Sequence, residues 1–231
     1  MYVEWSPTNV ASKVIIGVDE SYTQDDILFS GVQGKGSSDA GTTGLAMTFD
    51  HAQAWITFQL NAKDANSAGK VIIKNVYIED SYNSGDLSIS SNPDASGANK
   101  AKAEWNFRYD MKKDINLLDN SLYSSPEETT PVYLAVAETT PTAEPAKSFL
   151  DILLPEQPRG SFVIEYYFKG QPTVLKCRSI PASGTNWLMG KHYIYKVTFE
   201  VKEMTIVPTV TLYTDDAGTG TGTVETVSVA F

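Results

Sequence analysis

"LAMTFDHAQAWITFQL", Leu45–Leu60, is the stretch on which the fold turns. Leu45, Met47 and Phe49 alternate with polar or small residues, the period-two pattern of a half-buried strand. After His51 the phase slips by one, and Ala52, Ala54, Ile56, Phe58 and Leu60 become the apolar set. A strand has a side-chain period of two, so such a slip either flips the core face or needs an extra residue in the ladder. The sequence therefore predicts an architectural bulge at Asp50 and His51. There the imidazole hydrogen-bonds backbone that the bulge leaves unpaired.

The same rhythm runs outward in both directions. "KVIIGV" (13–18), "DILFSGV" (26–32), "KVIIKNVYIED" (70–80), "DLSIS" (86–90) and "AEWNFRY" (103–109) read as strands. Further on, "VYLAVAE" (132–138), "FLDILLP" (149–155), "SFVIEYYFKG" (161–170), "TVLKCRSI" (173–180), "HYIYKVTFEV" (192–201), "MTIVPTVTLY" (204–213) and "VETVSVAF" (224–231) do the same. Gly, Ser, Asn, Asp and Pro clusters separate them, as turn chemistry requires. No segment keeps a helical period over three turns, and the best short candidate is Met111–Leu118. The fold class is all-β.

Two sets of six or seven strands suggest two β-sandwiches in tandem, residues 1–120 and 121–231, with "SSPEETTP" (124–131) as the connecting loop. Pro208 lacks an N–H to donate, which places its strand at an edge or a bulge. The run "DDAGTGTGTVE" (215–225) reads as a flexible tether. It lacks the Lys-Ser/Thr and the helix that a phosphate-binding loop needs.

Composition narrows the function. The 231 residues are 42% hydrophobic and 20% charged, enough apolar content for a core. A net charge of −10, a pI near 4.7 and three arginines argue against a nucleic-acid partner. Cys177 stands alone, so the chain has no disulfide of its own. No apolar run is long enough to span a bilayer as a helix, and "MYVEWSP" has no signal-peptide pattern.

Candidate chemistry is sparse. His51 and His192 are the only histidines, too few and too far apart for a histidine-based metal site, and no metal or cofactor is expected. His192 alternates with Ile194 and reads as a cross-strand partner. Asp19, Glu20, Asp25 and Asp26 read as a solvated acidic loop rather than a calcium loop, since no loop signature or positional glycine accompanies them. "EYYFKG" (165–170) and "HYIYK" (192–196) are open to two readings, a sugar-stacking platform or core and cross-strand pairs. No serine or cysteine sits in a nucleophile-elbow pattern, and no acid pair marks a hydrolase cleft. No enzyme activity is expected.

Several stretches together resemble the fimbrillin-like family of Bacteroidales surface proteins, the subunits of type V pili. They are "DDILFS" (25–30), "FDHAQA" (49–54), "KVIIKNVYIED", "ILLPEQPRG" (152–160) and "NWLMGKHYIYKVTFEV" (186–201), in that order. The resemblance covers roughly residues 20–201. It implies two tandem transthyretin-like Greek-key sandwiches, a cell-surface location and a fimbrial subunit or tip adhesin. It also implies export as a lipoprotein and removal of a first strand by a protease that cuts after arginine. A neighbouring subunit's strand then fills the groove by β-augmentation. In this chain "TVETVSVAF" is the candidate donor, with Val224, Val227, Val229 and Phe231 as its apolar residues.

No arginine precedes Arg108 and no lipobox cysteine is present, so outer-membrane anchoring would need a lipid or a segment outside this sequence. The partners expected are other fimbrial subunits, with glycans or proteins of host or bacterial surfaces as ligands. The alternative is a surface module that binds glycan or protein without polymerising. It would use Tyr166 or Tyr195.

Overall fold

The computed structural model describes residues 2–5, 14–18, 26–30, 49–68, 70–93, 99–107, 112–117, 135–136, 150–171, 173–202, 205–216, 223–226 and 228–230. In chain order the strands begin with β1 (Tyr2–Trp5), β2 (Val14–Val18), β3 (Leu28–Ser30), β4 (Phe49–His51) and β5 (Gln53–Ala62). Next come β6 (Val71–Tyr82), β7 (Gly85–Pro93), β8 (Asn99–Asn106), β9 (Lys112–Asn116) and β10 (Ala135–Val136). The series continues with β11 (Leu150–Pro155), β12 (Gln157–Pro158), β13 (Phe162–Phe168), β14 (Leu175–Ile180) and β15 (Asn186–Trp187). It closes with β16 (Lys191–Lys202), β17 (Thr205–Asp216), β18 (Thr223–Thr226) and β19 (Ser228–Ala230). The chain is all-β, as its periodicity predicts.

Two sheets make the body. The six-stranded sheet runs β10-β5-β16-β17-β18, with β11 also on β5, and the five-stranded sheet runs β19-β14-β13-β6-β9. They face each other across one apolar core. Ile56, Phe58 and Leu60 of β5, Ile73, Val76 and Ile78 of β6, and Phe162 and Ile164 of β13 all lie in it. Phe58 and Phe162 meet edge to face at 5.3 Å, as do Tyr166 and Phe199. Such geometry suits the ring quadrupoles and adds to the area buried.

A cut near residue 120 would separate hydrogen-bonded neighbours. β5 lies between β11 and the parallel β16, and β6 between β9 and β13. Strands from the two halves of the sequence therefore share both of these sheets. The loop expected at 124–131 lies outside the described residues.

A third, four-stranded sheet runs β1-β2-β7-β8, and β3 and β4 form a short ribbon. Phe29, Ala52, Leu87 and Trp105 make a small separate core there, with Met189 packed against it.

Within the short helical candidate Met111–Leu118, residues 112–116 form a strand instead, β9, antiparallel to β6. The one helix among the described residues, α1 (Ala65–Ala68), is a single turn between β5 and β6. Asp64 caps it, accepting from Ser67 N at 2.7 Å. Its carboxyl is held below the usual range chiefly by that backbone hydrogen bond. Pro208 lies in the part of β17 that has β16 on one side, while β18 reaches only Thr211–Thr214 on the other. Among the described residues this is an edge position.

Candidate functional site

The phase slip in the opening stretch is a handover between sheets. β4 belongs to the ribbon with β3, Ala52 is a bend, and β5 begins at Gln53 in the six-stranded sheet. Of the two apolar phases, the second is the one buried: Ala52, Ala54, Ile56 and Phe58 are fully enclosed. Of the first, Phe49 is 55% exposed, because the ribbon turns that face outward, and Leu45 and Met47 lie outside the described residues.

His51 does not hold the junction through backbone. Its Nδ1 lies 2.8 Å from Asp26 Oδ2 and 3.0 Å from Oδ1, an exposed pair. Other groups satisfy the backbone freed by the bend. Ala52 N donates to Ile27 O at 2.8 Å, Trp105 Nε1 donates to Ala52 O at 2.7 Å, and Ile27 N donates to the buried Gln53 Oε1. Asp50 is exposed. Its neighbour across the ribbon is Phe29.

The stretches singled out by the family resemblance converge at this end of the sandwich. Gly190, held at φ 68°, donates its N–H to Gln53 O. Gln53 in turn pairs with Pro155 across β5 and β11. Gln157, 3% exposed, accepts from Tyr82 N at 2.8 Å and donates back to Tyr82 O at 2.6 Å, a side-chain amide standing in for one rung of a ladder. Glu156 accepts from Met189 N. Gly160 is where the backbone passes closest, since a Cβ there would come within 2.2 Å of Ser81 Oγ.

Of the tyrosines read as one possible sugar platform, Tyr167 is half-buried and the other three are interior. Tyr166, Tyr193 and Tyr195 are 4%, 1% and 3% exposed. Trp187 Nε1 donates to Tyr195 Oη, while Tyr193 Oη accepts from Leu188 N and donates to Asn186 O. Burial pushes the Tyr166 phenol up to about 12 and the Cys177 thiol up to about 12. These groups are locked for packing and are poorly placed for ligand contact or nucleophilic chemistry.

His192 is the cross-strand partner its spacing predicts. It pairs in register with Trp55, stacks on that indole at 3.8 Å and 8°, and shares a 2.8 Å hydrogen bond with Thr57 Oγ1. Of the acidic clump, Asp26 is described and the other three carboxylates are not. Glu79 and Asp80 form a second bulge, in β6, that the sequence reading missed. Asp80 sits at φ 47°, a conformation Asp tolerates better than most residues, and Glu79 pairs with Arg178. Among the described residues no three His, Cys, Asp or Glu gather as a metal site.

The candidate donor divides between two sheets. Val224 lies in β18, paired with Tyr213 of β17, and Val229 lies in β19, paired with Ser179 of β14. Val227 and Phe231 lie outside the described residues. The run expected as a tether is strand at both ends, Asp215–Asp216 in β17 and Thr223–Glu225 in β18.

The fimbrillin-like family model matches residues 6–212, and the chain belongs to that family. Among solved structures it is similar to a fimbrial protein from Bacteroides vulgatus, at 11% identity and a TM-score of 0.47 over 93% of this chain and 71% of that one. It is similar also to a protein described as a candidate cell adhesion protein from Bacteroides uniformis, at 11% identity and a TM-score of 0.42 over 90% and 73%. No curated protein matches it.

Proposed function

We propose that this chain is a structural and adhesive subunit of a cell-surface fimbria, without catalysis, that assembles with further copies by strand donation. Membership of the fimbrillin-like family supports the fimbrial part. The observation that carries the assembly part is the placement of β18 and β19. They join their sheets through short main-chain ladders, four residue pairs to β17 and three to β14. Ladders of this kind are the geometry of β-augmentation, where main-chain hydrogen bonds supply affinity and alternate side chains supply register.

The test compares the intact chain with one lacking residues 223–231, each concentrated and run unheated in SDS. Ladders from the intact chain that vanish on truncation are the expected result. Monomers from both, with the truncated form merely less stable, would favour the reading of a surface module that does not polymerise.

A further inference from the structure

We propose that the outer face of the six-stranded sheet, from Trp55 to Gln59, is a binding site for a neutral glycan chain. This deepens the adhesive part of the reading above and rests on it.

Ala54, Ile56, Phe58 and Leu60 of β5 lie in the sandwich core, so Trp55, Thr57 and Gln59 take the opposite face. β16 runs parallel beside them and sets His192, Ile194 and Lys196 in register with those three. Trp55 is 39% exposed, whereas Trp105 and Trp187 are buried. Its ring is fixed in place, because the indole stacks on His192 at 3.8 Å and His192 in turn bonds Thr57 Oγ1. A side chain held before its ligand arrives loses little freedom on binding. An exposed indole suits the C–H face of a pyranose, which presents apolar surface ringed by hydroxyls.

A second observation lies four residues further along the strand. Gln59 is 7% exposed, and its Nε2 has no hydrogen-bond partner. A buried donor without an acceptor is costly, so a sugar hydroxyl that supplied one would gain more here than on open surface. Lys196 stands beside this amide, half-buried, and its flexible stem is the group that moves aside to admit the ligand. Four strand steps separate Trp55 from Gln59, about 13 Å. That is longer than one sugar ring, so the site takes a chain rather than a single sugar.

Charge selects a neutral chain. The protein's net charge of −10 repels acidic polymers. The outer face of the five-stranded sheet differs in kind. There Glu165 sits between Lys74 and Lys176, at 3.9 and 2.7 Å, a network of charges rather than an aromatic platform.

Affinity electrophoresis of the full chain tests this, in native gels cast with galactomannan, with xyloglucan or with acidic polygalacturonate. Retardation by a neutral polymer and none by polygalacturonate is the expected result, with W55A and Q59L each weakening it at least several-fold. Q59L should keep the thermal midpoint of the parent chain, since leucine replaces an amide nitrogen that bonds nothing. No retardation by either neutral polymer, stronger retardation by polygalacturonate, or undiminished retardation of both variants would overturn the site. A lowered midpoint in Q59L would show the amide bonded within the fold and overturn its part in binding. SDS-resistant ladders from a chain that no neutral polymer retards would remove the site and leave the fimbrial reading standing. Retardation without ladders would support the site and count against polymerisation.

Discussion

Gln157 and His51 show how differently two polar side chains at strand junctions contribute. Gln157 is enclosed and bonds both backbone groups of Tyr82. Replacing it with leucine keeps its bulk and orphans those two groups, so chemical denaturation should report a loss of roughly 2–4 kcal/mol. His51 meets Asp26 in solvent, with both side chains about 40% exposed. An exposed pair of this kind contributes little, so His51→Ala should cost under about 1 kcal/mol in the same assay. A histidine bonded to buried backbone would have cost about 1–3 kcal/mol. The glutamine's backbone-bonding role was not legible in the sequence, where it looks like any polar residue beside a proline. The histidine drew notice because it is rare.

At the scale of elements, α1 depends on its cap. The Asp64 carboxyl is depressed in the folded protein by its bond to Ser67 N. A depressed acid contributes stability above its unfolded pKa, about 3.9, and loses it as pH falls through the folded value. Asp64→Ala should therefore lower the thermal midpoint at pH 7. That deficit should shrink as pH drops below about 4, and a deficit unchanged down to pH 2 would exclude the carboxylate as its source. Strand positions were legible in the sequence because alternation marks them directly: β6, β13, β14 and β16 fall within or around the stretches their patterns predict. The handover at Ala52 was legible as a break in phase. The β6 bulge was not, since "YIEDSY" keeps an unremarkable polar run through it.

At the scale of the whole molecule, the two cores differ in size. The sandwich core gathers residues from β5, β6, β13 and β16, whereas the second core rests on Phe29, Ala52, Leu87 and Trp105. Local opening follows local burial. Hydrogen exchange should therefore find amides of β7 and β8 opening at lower free energy than those of β5 and β13. Equal protection throughout would mean that the four-stranded sheet and the sandwich unfold as one unit.

The sequence by itself determined the all-β class, the position of most strands, the shift of phase at Asp50-His51 and the family. These depend on local alternation and on motifs readable along the chain. The tertiary structure decided which strands pair. Backbone hydrogen bonds are chemically alike at every rung, so periodicity says where a strand lies and not which neighbour it takes. For that reason β5 sits beside β16, more than a hundred residues away, across a boundary expected near residue 120. The tertiary structure also turned Tyr166, Tyr193 and Tyr195 inward, because the face a strand buries is set by the sheet packed against it.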